Sequence, residues 1–302
     1  MSVAWLFPGQ GSQSVGMAGE WLRSSRCARE ALDEAADVLG FDLAGLMDQG
    51  PEAELADTYN QQPALLAASV AILRAAYEQL PEPSFVAGHS LGEYSALVAA
   101  GSIGYPDALR LVRERGRLMR EAGQRQPGRM AAILGLDDSA VEAVCAATPG
   151  VEVANYNAPG QVVISGTVAG VDAAVESLTA LGAKRCVVLP ITIAAHSALM
   201  AQAAEAFATV VDRVAPMDAA IPVVANLSGK PIRDAAEIRA ELKGQLTGSV
   251  RWTDSVLALA DAGVTDFYEI GSGRVLCGLV KRVLRERAGP APRLHPMETP
   301  PA

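Results

Sequence analysis

The chain has 302 residues, of which 50% are hydrophobic, and it carries a formal net charge of −9 at pH 7. Its length and apolar content predict a globular protein with a large core. Its acidic balance argues against non-specific binding to nucleic acid or to an anionic membrane surface. The four cysteines lie far apart and form no C-x-x-C pair. This pattern argues against a zinc or disulfide framework and indicates a cytoplasmic location.

Strands and helices alternate in the first part of the chain. Val3–Phe7 is predicted to be a buried strand, and it lacks the basic start of a signal peptide. Helical patterns follow at 27–39 and 62–77. A second strand at Ser84–Ala87 leads directly into a helix that is expected to begin at Ser90.

The middle of the chain has a different order of elements. Strands are predicted near 130–134, 151–155, 161–165 and 185–189, with helices after the first and the third of them. The order β-α-β-β-α-β is typical of a ferredoxin-like unit. We therefore expect a small subdomain at residues 124–189.

The segments on either side of this insert complete the predicted architecture. Strands at 222–225 and 267–270 alternate with helices that end near Arg287, which predicts a parallel sheet covered by helices. Residues 1–123 and 190–302 should therefore form one large domain. The proline-rich tail after about residue 288 is expected to be disordered.

The corner between the second strand and its helix has the sequence Gly88-His89-Ser90-Leu91-Gly92 and fits the pattern G-x-S-x-G. In α/β-hydrolase-like domains this corner exposes a nucleophilic serine at a helix N-terminus, and we expect the large domain to be of that kind. The N–H of Leu91 is then a natural donor to an oxyanion. The alternative is a turn whose serine only caps the helix.

A nucleophilic serine requires a base, and the chain has only three histidines. His89 lies in the corner itself, and its side chain should point away from Ser90. His295 lies in the proline-rich tail. By elimination His196 is the candidate base, and the alternative is a histidine that caps a helix or fills the core.

Several segments together resemble one known family. They are F-P-G-Q-G-S-Q-S-V-G-M at 7–17, G-H-S-L-G-E-Y at 88–94, L-V-R-E-R-G at 111–116, A-H-S-A-L-M at 195–200 and Q-L-T-G-S-V-R-W at 245–252. In combination they resemble the malonyl-CoA:acyl carrier protein transacylases of bacterial fatty-acid synthesis. The resemblance extends from about Val3 to Arg287.

The resemblance implies roles for particular residues of the catalytic machinery. Ser90 would accept the acyl group, and His196 would be its base. A backbone carbonyl near Gln245 would orient this histidine in place of an acidic third member. The backbone N–H groups of Gln10 and Leu91 would form the oxyanion hole.

Further residues are implied to bind the substrate. Arg115 matches the family's substrate arginine, and a guanidinium is the natural bidentate partner of the free malonyl carboxylate. Asn155 and Asn157 would position the substrate, with a polar turn as the alternative. The small residues Ala194 and Ala195 beside His196 leave open whether a branched group such as methylmalonyl is tolerated.

The implied reaction moves a malonyl group from malonyl-CoA to the phosphopantetheine thiol of acyl carrier protein through a malonyl-serine. The resemblance implies no metal and no bound cofactor, and the family's usual form is a monomer. The sequence also allows other functional interpretations. They are a serine hydrolase, a polyketide acyltransferase, the malonyl-loading subunit of a malonate decarboxylase, and a non-enzymatic binding protein.

Overall fold

The computed structural model describes residues 2–300 and contains two β-sheets. Within these residues the strands are β1 (Ser2–Phe7), β2 (Phe85–Gly88), β3 (Gly128–Leu134), β4 (Val151–Ala158), β5 (Gln161–Thr167), β6 (Arg185–Val188), β7 (Val223–Val224), β8 (Pro231–Ile232), β9 (Val264–Glu269) and β10 (Arg293–Pro296). Over the same residues the α-helices are α1 (Gly19–Ser24), α2 (Arg26–Leu39), α3 (Leu43–Gln49), α4 (Glu52–Ala56), α5 (Thr58–Ala76), α6 (Gly92–Ala99), α7 (Tyr105–Arg125), α8 (Asp138–Ala147), α9 (Val168–Ala180), α10 (Ala201–Val214), α11 (Ala235–Gly244), α12 (Trp252–Asp261) and α13 (Val275–Val283).

The larger sheet has the strand order β10-β9-β1-β2-β7-β8, and only the β7–β8 pair is antiparallel. Strand β1 lies in its middle and is buried on both faces. Val3, Trp5 and Phe7 pack into a cluster with residues of α2, α5 and α7, whereas Ala4 and Leu6 pack with residues of α12 and α13. A parallel strand covered on both sides by helices has this continuous apolar sequence.

The smaller sheet lies between Gly128 and Val188 and is antiparallel throughout, with the order β4-β5-β3-β6. Helices α8 and α9 follow β3 and β5 along the chain and pack with the sheet in a core of their own. This is the predicted ferredoxin-like arrangement. The predicted fold class, an α/β domain with a parallel sheet and a small inserted subdomain, is confirmed.

The prediction of a disordered tail after about residue 288 is wrong for the segment that forms β10. Arg293–Pro296 adds a parallel edge strand to β9. The Arg293 guanidinium binds the Asp266 carboxylate at 2.6 Å, and the His295 ring stacks on Tyr268 with the ring centroids 4.2 Å apart. The open edge of β9 thus supplies partners that composition alone does not indicate, and a proline is tolerated because β10 is an edge strand.

The helices of residues 2–300 include none that is both long enough and apolar enough to cross a membrane.

The turn from β2 into α6 is possible only because its flanking residues lack a Cβ. A Cβ on Gly92 would fall far inside contact distance of the backbone oxygen of Phe7, and one on Gly88 would overlap the backbone of Gly92. The β1 strand end, the turn and the first turn of α6 are therefore packed backbone against backbone.

We expect Gly92→Ala to lower the free energy of unfolding by about 1–3 kcal/mol or more, because neither backbone can yield without moving a buried strand. Gly278→Ala is the matched control, since nothing lies within 4 Å of a Cβ at this position inside α13. It should raise the stability by about 0.5–1 kcal/mol. Denaturant unfolding of both variants checks this, and equal stability of the two would contradict the packing argument.

Candidate active site

Ser90 occupies the corner between β2 and α6 in a left-handed conformation, with φ of +50°. A non-glycine residue adopts this conformation at a cost of about 1–2 kcal/mol, and such strain is often found at functional positions. The residue is 8% exposed. The strand and the helix therefore hold the hydroxyl at a helix N-terminus, as the G-x-S-x-G pattern predicts, but the residue is buried and not exposed.

His196 is the imidazole that meets this hydroxyl. Its Nε2 lies 2.8 Å from Ser90 Oγ, and its Nδ1 lies 2.9 Å from the backbone oxygen of Gln245 and 3.0 Å from that of Gly248. Carbonyl oxygens only accept hydrogen bonds, so Nδ1 carries the proton. Nε2 of the neutral ring is then the acceptor, and the Ser90 hydroxyl donates to it.

The environment of His196 keeps the ring neutral. Burial lowers its pKa to about 3, and the positive charge of Arg115 adds to this effect. The two backbone carbonyls on Nδ1 act in the opposite direction. The ring is therefore unprotonated at neutral pH and able to accept a proton. His196 itself has φ of +59°, and helix α10 begins only at Ala201.

Arg115 projects from α7 into the same place and is fully buried. Its Nη2 donates to Ser90 Oγ at 3.3 Å and to Gln245 Oε1 at 3.0 Å, and its Nη1 donates to Gln62 Oε1 at 2.8 Å. Its buried Nε has no hydrogen-bond partner within the described residues. A buried cation surrounded by neutral oxygens, with a donor left over, is a strong site for an anion.

Gln245 connects these groups. Its backbone oxygen accepts from His196 Nδ1, and its side-chain oxygen accepts from Arg115. Its side-chain nitrogen donates to the backbone oxygen of Ser90 at 3.1 Å and to the carboxyl of Glu93. The residue is fully buried. The predicted position of the histidine-orienting carbonyl and the observed one therefore coincide.

The loop after β1 lies against the serine corner. A Cβ on Gly9 would collide with the backbone oxygen of His89, so only glycine permits this approach. The Gln10 side chain turns away and donates to Thr58 Oγ1 at 3.1 Å and to Gln61 Oε1. Over residues 2–300, neither the N–H of Gln10 nor that of Leu91 has an acceptor. Both donors are free for a ligand.

The two asparagines of β4 are buried, and they differ in how they relate to the serine corner. Asn157 Oδ1 accepts from His89 Nε2 at 2.8 Å, and the His89 ring packs against Trp252 with a centroid distance of 5.5 Å. Asn155 lies where β4 forms an isolated bridge with Val250. Within the described residues, neither side chain bonds to Ser90, His196 or Arg115. The structure thus joins Asn157 to the corner through His89, and it does not bring Asn155 into the polar cluster.

Residues 4–299 match the acyl transferase domain family. The chain belongs to this family. Its acyltransferase relatives include the malonyl CoA-acyl carrier protein transacylases of Salmonella typhimurium and Bacillus subtilis. Each is 46% identical to this chain. The match to the Salmonella protein covers 93% of this chain and 92% of that protein, and the match to the Bacillus protein covers 94% of this chain and 90% of that protein. A solved complex of a type II PKS acyl-carrier protein with its malonyl-transacylase superposes with a TM-score of 0.92. It is 43% identical and covers 98% of this chain and 95% of that one.

Two residues of this acyltransferase site were not singled out from the sequence. Glu93 is buried in the first turn of α6, and its carboxyl accepts from the N–H of Asn226 at 2.9 Å and from Gln245. Asn226 in turn bonds to the serine corner. Glu93 stands inside the G-H-S-L-G-E-Y segment, which could have drawn attention to it. No local pattern marks Asn226.

The described residues include no group of three or more His, Cys, Asp or Glu side chains that could hold a metal ion.

We expect the His196 ring to remain a neutral Nδ1–H tautomer from pH about 8 down to pH about 5, since burial and Arg115 hold its pKa well below 6.5. Histidine-selective ¹⁵N spectra recorded across this range measure the tautomer. The resonance is assigned by its loss in His196→Gln. A titration midpoint near the ordinary histidine value would show that the ring is more exposed or less influenced by Arg115 than the structure indicates.

Proposed function

We propose that this acyltransferase moves a malonyl group from malonyl-CoA to the phosphopantetheine thiol of acyl carrier protein. The observation that carries the proposal is the buried Arg115 guanidinium, which has no carboxylate partner among residues 2–300 and reaches to 3.3 Å from Ser90 Oγ. Malonyl differs from acetyl by one free carboxylate. A guanidinium beside the nucleophile is suited to bind that carboxylate and to place the thioester carbon near Ser90.

In the first half of the reaction, Ser90 Oγ attacks the thioester carbon while His196 Nε2 takes the hydroxyl proton. The negative charge that develops on the thioester oxygen is stabilised by the N–H groups of Leu91 and Gln10. The C–S bond then breaks, and His196 returns the proton to the sulfur of the leaving CoA. The product is a malonyl ester on Ser90.

In the second half the phosphopantetheine thiol takes the place of CoA. His196 accepts the thiol proton as the sulfur attacks the ester, and it returns that proton to Ser90 Oγ as the C–O bond breaks. Arg115 also affects this base. Because its charge helps to lower the pKa of His196, a carboxylate bound to Arg115 would offset that charge and favour proton transfer to the ring.

The proposed acceptor is supported by the relatives. The Salmonella and Bacillus proteins are named as transacylases of acyl carrier protein, and the solved neighbour is a complex with such a carrier. We assign this chain to the supply of malonyl groups for fatty-acid elongation. The second candidate is a polyketide pathway, which is favoured by the carrier in that complex.

The proposal also covers cofactors, location and oligomeric state. The thioester of malonyl-CoA and the thiol of the acceptor supply the reacting groups, so the proposed steps use no bound cofactor or metal. A cytoplasmic location, as predicted from the cysteine pattern, and action as a monomer belong to the same proposal. The proposal disfavours a simple hydrolase, because hydrolysis of an uncharged acyl group does not require a buried cation next to the serine.

Brief mixing with malonyl-CoA in the absence of carrier should add a single malonyl group to the protein, as measured by intact-protein mass spectrometry. Ser90→Ala should remain unmodified, because the ester oxygen is gone. Added fatty-acid carrier in its phosphopantetheine form should discharge the adduct. Discharge by a polyketide carrier alone would select the second pathway, and steady release of free malonate without any adduct would indicate a hydrolase.

Arg115→Ala should reduce the malonyl-over-acetyl ratio of kcat/KM by about 10- to 100-fold, because it removes hydrogen bonds to a charged carboxylate. The measurement compares the two CoA thioesters at matched concentrations. Arg113→Ala is the control, since this neighbouring arginine of α7 packs over the Tyr59 ring at 3.3 Å and donates to the Tyr59 backbone oxygen. An unchanged ratio in Arg115→Ala would remove the guanidinium from substrate recognition.

A further inference from the structure

Asn226 lies beside the serine corner because of the sheet. It follows β7, which pairs in parallel with β2 so that Ala87 faces Val224. Continuing both chains by two residues brings Asn226 level with His89. The residue is 1% exposed. Its position is therefore set by the strand register and by no sequence motif.

The side chain of Asn226 bridges both sides of the corner. Its Oδ1 accepts from the N–H of Ser90 at 2.7 Å, and its Nδ2 donates to the backbone oxygen of Gly88 at 2.7 Å. These two groups lie on either side of His89, where the chain leaves the strand. One amide thus satisfies the two buried backbone groups that the sharp turn leaves without strand or helix partners.

Asn226 is itself held by its own backbone. Its N–H donates to Glu93 Oε1 at 2.9 Å, and its carbonyl oxygen accepts from the N–H of Arg251 at 2.8 Å. The other oxygen of Glu93 accepts from Gln245, whose backbone oxygen orients His196. One continuous set of hydrogen bonds therefore connects the serine corner with the group that orients the base.

We propose that Asn226 is a positioning residue for Ser90: its amide holds the corner in the left-handed conformation that directs Oγ to His196 Nε2 and the N–H of Leu91 to the oxyanion. The inference rests on the proposed function and adds a residue to its machinery. Without the bridge, the unfavourable φ of Ser90 is free to relax, and the hydroxyl and the oxyanion donor move together. A displacement of about 1 Å can reduce a rate about 100-fold.

The chemistry of the bridge explains why an amide is needed. It requires one acceptor for an N–H and one donor for a carbonyl, at the two ends of a short planar group. Aspartate has the same shape, but in its ionised form it only accepts, so that it would face the Gly88 oxygen with a negative charge. A protonated aspartic acid again offers one donor and one acceptor.

The test measures the rate of Ser90 malonylation at saturating malonyl-CoA by rapid-quench mass spectrometry, together with the KM for malonyl-CoA. Asn226→Ala and Asn226→Asp are compared with wild type at pH about 8 and about 6. Ser102→Ala is the control, because Ser102 is also buried and the change removes a side-chain-to-backbone hydrogen bond, from Ser102 Oγ to the Met217 backbone oxygen, outside the site. The corner is surrounded in every variant by the same titratable groups, Glu93, Glu241, His89 and His196. Their own pH dependence is removed by dividing each rate by the wild-type rate at the same pH.

We expect Asn226→Ala to lose about 100-fold in the malonylation rate with little change in KM. Asn226→Asp should be similarly slow at pH about 8 and should recover at least about tenfold at pH about 6 as its carboxyl is protonated. Ser102→Ala should malonylate at the wild-type rate. A merely structural role of Asn226 does not produce this pH-dependent recovery.

The outcomes distinguish this inference from the function on which it rests. If wild type forms no malonyl adduct, the proposed function fails. If wild type does form it and Asn226→Ala is equally fast, Asn226 does not position the serine. The inference is also overturned if the aspartate variant shows no recovery, or if Asn226→Ala changes only KM or the folded fraction measured by thermal unfolding.

Discussion

Arg115 is a charged side chain in the interior of the protein, and its hydrogen-bond acceptors among the described residues are neutral oxygens of Gln62, Gln245 and Ser90. Burying a guanidinium is costly unless a negative charge compensates for it. The cation is one of the causes that keep His196 neutral. It also lies 3.3 Å from Ser90 Oγ. The ionisation of the base and the proposed choice of substrate thus involve the same buried charge.

The nearby acidic side chains do not neutralise the positive charge of Arg115, because their pKa values are raised. Glu93 lies close enough to act on Arg115, but burial and the neighbouring Glu241 raise the pKa of Glu93 well above its usual value. Burial likewise raises the pKa of Glu241 to about 7. Both carboxyls accept hydrogen bonds from backbone N–H groups. They therefore act as buried hydrogen-bonding groups that organise the site.

The parallel sheet brings the parts of the site to one edge. Strands β1, β2 and β7 are neighbours that run in the same direction, and their carboxyl ends lead to Gln10, Ser90 and Asn226. In open α/β sheets this edge is the usual place for a ligand. The contributions of His196 and Gln245 come from the segments that follow the small subdomain, whose β4 bonds to the chain at Val250. Gln10, Ser90 and Asn226, which are far apart in the chain, therefore meet because of the sheet topology.

The sequence by itself determined the elements whose signals are local. The apolar run at β1, the G-x-S-x-G corner and the β-α-β-β-α-β order of the subdomain depend on neighbouring residues, and the structure contains all three. The scarcity of histidines and the family segments were enough to select Ser90, His196 and Arg115. Local sequence also gave misleading indications. Proline content predicted disorder where β10 forms, because the open edge of β9 that binds it is distant in the chain.

Only the tertiary structure decided which polar groups meet at the serine. Asn226 bonds to residues more than 100 positions away, and Gln245 contacts Arg115 and Ser90 across similar separations. Asn155 and Asn157 are close in sequence, yet only Asn157 is joined to the corner. Strand alternation alone would place both side chains on one face, but the register of β4 shifts between Tyr156 and Ala158. Hydrogen bonds of this kind form after the sheet register has been set, so no pattern of nearby residues encodes them.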